Sequence, residues 1–413
     1  MSKLDNLLKE FCPNGVEYKT LDELGNFYGG ITGKSKDDFV EGNAKFITYR
    51  NVYANPALNI DVNDTVKIGD NEKQRTLEYG DVIFTGSSET PDECGISSVL
   101  TQKTTEKLYL NSFCFVFRFN DISIMIPDFA KHLFRSENLR YQIGKTASGV
   151  TRFNVSKKLM GKVKIPVPPL EVQREIVRIL DNFTELTAEL TAELTARKKQ
   201  YEYYRSEMLT FDLGIPKKKL GQTCDMKAGK SIPSELISSE ETQYANVKCY
   251  GGNGIRGYVN EANQHGEFPL IGRQGALCGN VNYATGDFYA TEHAVVVKSQ
   301  GEYKQRFLFH LLTFMDLNQY KSAGAQPGLS VKKLQEIEAP VPSLEVQDRI
   351  VNILDNFEKI CNDLNIGLPA EIEARQKQYE FYRDQLLTFA ENGETILTDR
   401  QTDRQTDRQT DRI

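Results

Sequence analysis

Residues 166–183 read PVPPLEVQREIVRILDNF, and residues 340–357 repeat them as PVPSLEVQDRIVNILDNF, with 14 of 18 positions identical. Farther along, 200–211 (QYEYYRSEMLTF) and 378–389 (QYEFYRDQLLTF) agree at eight of 12. Two such matches in the same order mark a duplication. The first copy sets apolar side chains at Ile176, Leu180, Phe183, Leu186, Leu190, Leu194, Tyr201, Tyr204 and Met208. Steps of three, four and seven trace one stripe on a helix. Pro166, Pro168 and Pro169 disfavour helix just before it and fix its start. Spanning 170–208, it would be about 58 Å long at ~1.5 Å per residue. A helix of that length with one stripe needs a partner. The second copy offers Ile350, Leu354, Phe357, Ile360 and Leu364, then Ile372, Tyr379, Tyr382 and Leu386.

Within the first copy, 187–194 is TAEL written twice. Each such unit adds about 6 Å and roughly 400° of turn, which lengthens the rod with modest rotation. Phe183 to Tyr201 is 18 positions and Phe357 to Tyr379 is 22, a difference of one four-residue unit. The second copy also holds Gly367-Leu368-Pro369, which predicts a break with helix restarting near Pro369. Between the helices lie two dissimilar segments with similar lead-ins, 11–21 and 211–220, and the first ten residues resemble a helix end. The repeat is therefore circular, a pseudo-twofold arrangement of two globular domains separated by two long antiparallel helices in a coiled coil. Strands are expected at 81–85, 111–118, 268–272 and 290–298, and helices at 128–140 and 305–319, which makes the class α+β. The expected boundaries are 1–165 (first globular domain), 166–211 (central helix), 212–339 (second globular domain), 340–390 (distal helix, interrupted near 367–369) and 391–413 (tail).

Composition narrows the function classes. The 413 residues exceed one ordinary core. No apolar run reaches the roughly 18 residues of a spanning helix, and no signal pattern opens the chain, so a cytoplasmic protein without a membrane partner is expected. Seven scattered cysteines without a C-x-x-C pair argue for a reducing compartment. Four isolated histidines lack metal-ligand spacing, so no metal is expected. The net charge of −6 decides little, because binding follows the local placement of Lys and Arg. The tail, 398–412, repeats Thr-Asp-Arg-Gln with no apolar residue and is expected to be disordered. At the gene level ACA-GAC-AGA-CAG is three ACAG units. The hypothesis is a slippage-prone tract that changes reading frame, a form of phase variation; one invariant repeat count across sequenced colonies would remove it.

No catalytic set is apparent. Gly33-Lys34-Ser35 and Gly229-Lys230-Ser231 miss the phosphate-loop pattern, because Tyr28 and Cys224 stand where its first glycine is required. Binding chemistry remains. Tyr49, Arg50, Asn51 and Tyr53 combine purine-reading donors with aromatic faces. Thr85, Ser87, Ser88, Thr146, Ser148 and Arg152 lie on small hydroxyl-rich loops suited to phosphates, as do Lys34, Ser35, Lys230 and Ser231. Tyr250, Asn253, Arg256, Tyr258, Arg273, Gln274, Lys321 and Gln326 repeat that chemistry in the second half. Each alone reads as an ordinary loop; their recurrence beside a rod favours a two-part DNA reader with Arg50, Asn51, Arg256 and Arg273 as base readers.

The repeated P-x-P-[PS]-L-E-V-Q-x-x-I-V-x-I-L-D-N-F helices, the TAEL units and the two variable segments resemble the specificity (S) subunit of Type I restriction–modification systems, over residues 1 to about 390. The resemblance implies two target-recognition domains on double-stranded DNA, and helices that set their spacing and dock two modification (methyltransferase) subunits, with restriction (motor-nuclease) subunits joining. It implies no cofactor on this chain and no catalysis by it: S-adenosylmethionine would sit in the modification subunits, ATP and Mg in the restriction subunits. The Gly367–Pro369 interruption and the tail depart from the pattern. Two other readings are a coiled-coil scaffold without DNA affinity, which leaves the dissimilar domains unexplained, and the reader half of a single-chain restriction–modification enzyme, which lacks the needed catalytic motifs.

Overall fold

The computed structural model describes residues 2–212, 214–275, 277–322 and 327–389, so the Thr-Asp-Arg-Gln tail and Gln326 lie outside the described residues. The chain divides into two compact units, residues 1–189 with 373–413 and residues 190–372. The central helix, Leu170–Leu209, is continuous over 40 residues. Among the described residues no helix is long and apolar enough to cross a membrane.

The two dissimilar segments have one topology. In the first unit an antiparallel sheet runs Gly25–Gly29, Cys114–Phe119, Val82–Thr85, Ser97–Val99. In the second the order is Cys224–Ala228, Ala294–Ser299, Phe268–Gly272, Val281–Ala284. Each unit adds a sheet holding one parallel pair, Ala44–Ile47 with Leu108–Leu110 in a sheet of three strands and Val247–Gly251 with Asp287–Ala290 in a sheet of four. A short ribbon leads into each long helix: Tyr18–Thr20 with Lys164–Pro166, and Lys217–Lys219 with Glu338–Pro340. The alternation of a strand explains how one run of apolar residues serves two cores. Phe115, Phe117 and Phe119 face the helices, while Cys114 and Val116 face a second cluster. Val295 and Val297 against Ala294 and Val296 repeat the arrangement.

The helices assemble by exchange between the repeats. Phe183 of the first copy stacks on Tyr382 of the second at 5.3 Å within the first unit. Within the second unit Phe357 and Tyr204, the equivalents by alignment, lie 5.5 Å apart. The start of each copy thus meets the end of the other, as antiparallel strands of a coiled coil require. Ile176 and Leu180 are fully buried in the first unit, worth about 1.5–3 kcal/mol each. A buried glutamine ties each helix start to its domain. Gln173 accepts from Ile126 N–H and donates to the Ile124 and Pro168 carbonyls. Gln347 does the same with Lys304, Glu302 and Pro342. The second copy also has a Ser343 cap whose hydroxyl accepts from Val346 N–H, where the first has Pro169.

Several local expectations give way to tertiary context. The strand expected at 111–118 begins at Cys114, and the one at 290–298 is two strands parted by Thr291-Glu292-His293. The helix expected at 128–140 is Pro127–Leu133 then Glu137–Gly144, because the Ser136 hydroxyl turns back to the Leu133 carbonyl. The one at 305–319 ends at Phe314, ahead of Asp316 in the left-handed region. Near the end of the distal helix, Leu344–Asn362, Cys361 is buried and Ile360 exposed, and Leu364, just beyond the helix, is exposed as well. Helix resumes as Leu368–Leu386, with Pro369 in the first turn, where its missing N–H costs nothing.

Candidate nucleic-acid interface

In the first unit two depressions open side by side and share Phe113 as a wall. The one of about 570 Å³ gathers Tyr49, Arg50, Tyr53, Ser87, Ser88 and Arg152, candidates drawn from three distant stretches of sequence. Thr48 starts the short helix Tyr49–Ala54 by accepting from Asn51 N–H. One turn apart on it, the Tyr49 and Tyr53 rings stack at 6.3 Å. Tyr49 donates to the Ser87 carbonyl and Tyr53 to Glu93. Burial raises the Tyr49 phenol, and the bond to Glu93 raises that of Tyr53. The same bond, with one from Ser88, holds the Glu93 carboxylate below its usual range. Arg152 donates twice to the Ser87 hydroxyl, 3.1 and 3.0 Å. The depression therefore offers Arg152 held on Ser87, the exposed Arg50, a held carboxylate and aromatic faces, a combination able to pair with base edges.

Two half-buried arginines outside the predicted set position these elements. Arg135 donates to the Val52, Tyr53 and Ser97 carbonyls, so it caps the end of the tyrosine helix. Arg140 donates to the Asp92, Cys94 and Gly95 carbonyls of the loop bearing Glu93. Burial pushes both guanidinium groups down to about 10, so both remain charged at neutral pH. Arg135 lies in the turn between two helices and Arg140 on the second of them, and neither carries a local signal of such a task.

The second depression, about 830 Å³, includes Lys34 and Ser35. Lys34 is paired with Glu72, whose carboxyl it holds down to about 2. Ser35 caps a turn through Asp38. Four other candidates serve the scaffold. Asn51 is buried and its amide bonds Asn59 and Asn55, which corrects its assignment as a base reader. Thr85 accepts from Ile96 N–H, Thr146 donates to the Ile143 carbonyl, and Tyr250 lies in the core. Ser148 is exposed on the adjoining hairpin.

In the second unit the loops around 252, 273, 293 and 328 converge. Arg273 N–H donates to the His293 carbonyl, and Leu329 N–H to that of Arg273. A Cβ on Gly272 would come within 1.7 Å of the Gly252 carbonyl oxygen, so only glycine permits this approach. Exposed Gln274 bridges to Gly328, and Asn253 accepts from Asn280. Arg256 is exposed and bonds Ser234; half-buried Tyr258 neighbours it on the strand Gly254–Val259. Lys230 and Ser231 are exposed, and Lys321 bonds Asn318. Side-chain atoms of Arg273, Glu292 and His293 are buried without a hydrogen-bond partner. Behind these loops His310, Asp355 and Glu358 bring three donor atoms within 4.8 Å. Arg306 already bonds both carboxylates, so this arrangement is an ion-pair cluster, assembled from residues too far apart in sequence to be read as one.

A family model described as Type I restriction modification DNA specificity domain matches residues 13–197 and 214–374. The chain is 52% identical over 206 residues to the Type I restriction enzyme EcoprrI specificity subunit of Escherichia coli, a match that spans 48% of this chain and about half, 51%, of that relative. It is 32% identical over 243 residues to a candidate type I specificity subunit of Mycoplasma pneumoniae, covering 56% of this chain and 98% of the relative. In fold it is similar to the crystal structure of a Type-I restriction-modification S subunit from M. genitalium, with TM-score 0.56 and 17% identity over 90% of this chain and 96% of that one.

Proposed function

Because the chain belongs to the Type I restriction–modification specificity subunits, we propose that each of its units reads one half of a split, asymmetric DNA target. The observation that carries this is duplication without identity. Two segments of dissimilar sequence share one strand order, and each is tied by the same glutamine to one repeated helix. The scaffold is constant, as a common partner would require, and the loop chemistry differs, as two different half-sites would require.

In the first half-site Arg50, Arg152 and the Tyr49–Tyr53 pair face the bases; in the second, Arg273, Gln274 and Arg256 do. Cationic side chains bidentate to guanine, and carboxylates accepting from cytosine, are the chemistry those groups supply. Lys230 and the hydroxyl loops contact phosphates and set register without reading sequence. The repeated helices fix the spacing and carry two modification subunits, which hold S-adenosylmethionine; restriction subunits, with ATP and Mg, join that complex. This chain then supplies recognition, and the chemistry is its partners'. Genome-wide methylation sequencing of a host carrying the gene tests the reading. The expected result is one bipartite motif that disappears when the gene is deleted; a continuous motif, or none, would overturn it.

A further inference from the structure

Resting on that reading, we propose that Phe113 is an intercalating wedge that enters the base stack of the first unit's half-site. Phe113 stands on a turn held at every backbone group that matters. Its N–H donates to the Asn111 side chain at 2.7 Å, and its carbonyl accepts from Gly86 N–H at 2.7 Å. Asn111 N–H bonds the Ile47 carbonyl, and Cys114 N–H that of Asn111. Gly86 is needed, because a Cβ there would lie 2.7 Å from the Phe113 carbonyl oxygen. On this rigid mount the ring is 58% exposed, on the ridge between the two depressions. The Arg152 guanidinium lies 5.7 Å from the ring centroid.

A single exposed aromatic is common on protein surfaces. This one differs in place and in mounting: it stands between two depressions whose linings include Arg50, Arg152 and Lys36 alongside Glu89, Glu93 and Asp64, and backbone hydrogen bonds hold the turn that carries it. Side chains of that kind part a base step while neighbouring cations hold the phosphates. The second unit supplies the contrast. There His293 N–H approaches the Thr291 hydroxyl, its carbonyl accepts from Arg273, Thr291 N–H bonds the Tyr250 carbonyl and Ala294 N–H that of Thr291. The turn is the same, and its tip is a histidine beside Glu292. One mount thus carries a wedge in one unit and a polar reader in the other, which makes this position a determinant of half-site selectivity.

The test uses the full chain in complex with its co-purified modification subunits, on duplexes of the sequence methylated in a host carrying the gene. 2-Aminopurine replaces single bases in each half-site, away from the methylated base. Binding is expected to raise fluorescence several-fold at one step of the first half-site and nowhere in the second. Phe113→Ala should abolish the rise and weaken binding about 5- to 150-fold, the range for loss of one base–aromatic stack; Phe113→Trp should retain both. Selective binding with the probe quenched throughout the first half-site, or a rise that survives in Phe113→Ala, overturns the wedge and leaves the parent reading standing. Failure of the wild-type complex to bind any duplex selectively removes both.

Discussion

Replacing Gln173 or Gln347 by alanine tests whether the repeated helices grip the two domains by one device. Each side chain is fully buried. In the first clamp the three bonds measure 2.8, 2.8 and 2.7 Å; in the second they measure 2.8, 2.9 and 2.9 Å. Alanine leaves one N–H and two carbonyls without a partner in each case. At ~1 kcal/mol for each such buried group, the lower end of the usual range, the loss is about 3 kcal/mol per clamp. For a unit of this size that corresponds to about 6–12 °C in Tm. The two losses should be nearly additive, since the clamps lie in different cores. Calorimetry of the full chain measures the global effect, and amide hydrogen exchange measures the local one. In Gln173→Ala the Ile126 amide should lose protection while Lys304 keeps it, with the reverse in Gln347→Ala. Unchanged protection at Ile126, or a large effect at one clamp and none at the other, would refute the common device.

Deleting one TAEL unit, 191–194, should change the accepted spacer and leave both half-site sequences alone, because about 6 Å is just under two base-pair steps; methylation mapping that returned the same spacer would contradict this. His132 and His310 are buried, each with a ring nitrogen 2.7 Å from a carboxylate oxygen, Asp181 and Asp355 respectively. Burial nonetheless holds both imidazoles below 6.5. The unfolded chain then binds more protons below that value, so stability should fall as pH drops from about 6.5 toward the lowered folded values. Denaturation midpoints at pH 7.5 and 5.5 should show the fall, and it should shrink in His132→Gln. Arg50→Ala should cost about 1–3 kcal/mol at one base pair of the first half-site, whereas Lys230→Ala should weaken all sequences alike. Asn51→Ala should instead lower Tm with readout intact; competition binding against single-base variants separates the three.

What could be read in the sequence follows from what is local. A helix announces itself by a 3.6-residue period within its own span, so Leu170–Leu209 and the duplication were legible from apolar spacing and identity alone. The α+β class followed from short strands between turns. The exchange that pairs Phe183 with Tyr382 and Phe357 with Tyr204 rests on residues 199 and 153 positions apart, and only the fold selects it. The same holds for the shared strand order of two segments without recognisable similarity, since sheet neighbours are chosen by packing on both faces. Residue type suggested Arg50, Arg152 and the tyrosines, and the structure brings those together. Type could not reveal that Asn51 and Lys34 already have partners, or that an aromatic on the turn before a strand, Phe113, is turned outward. Composition says which atoms can bond; whether a bond is still open depends on distant neighbours that only the tertiary structure supplies.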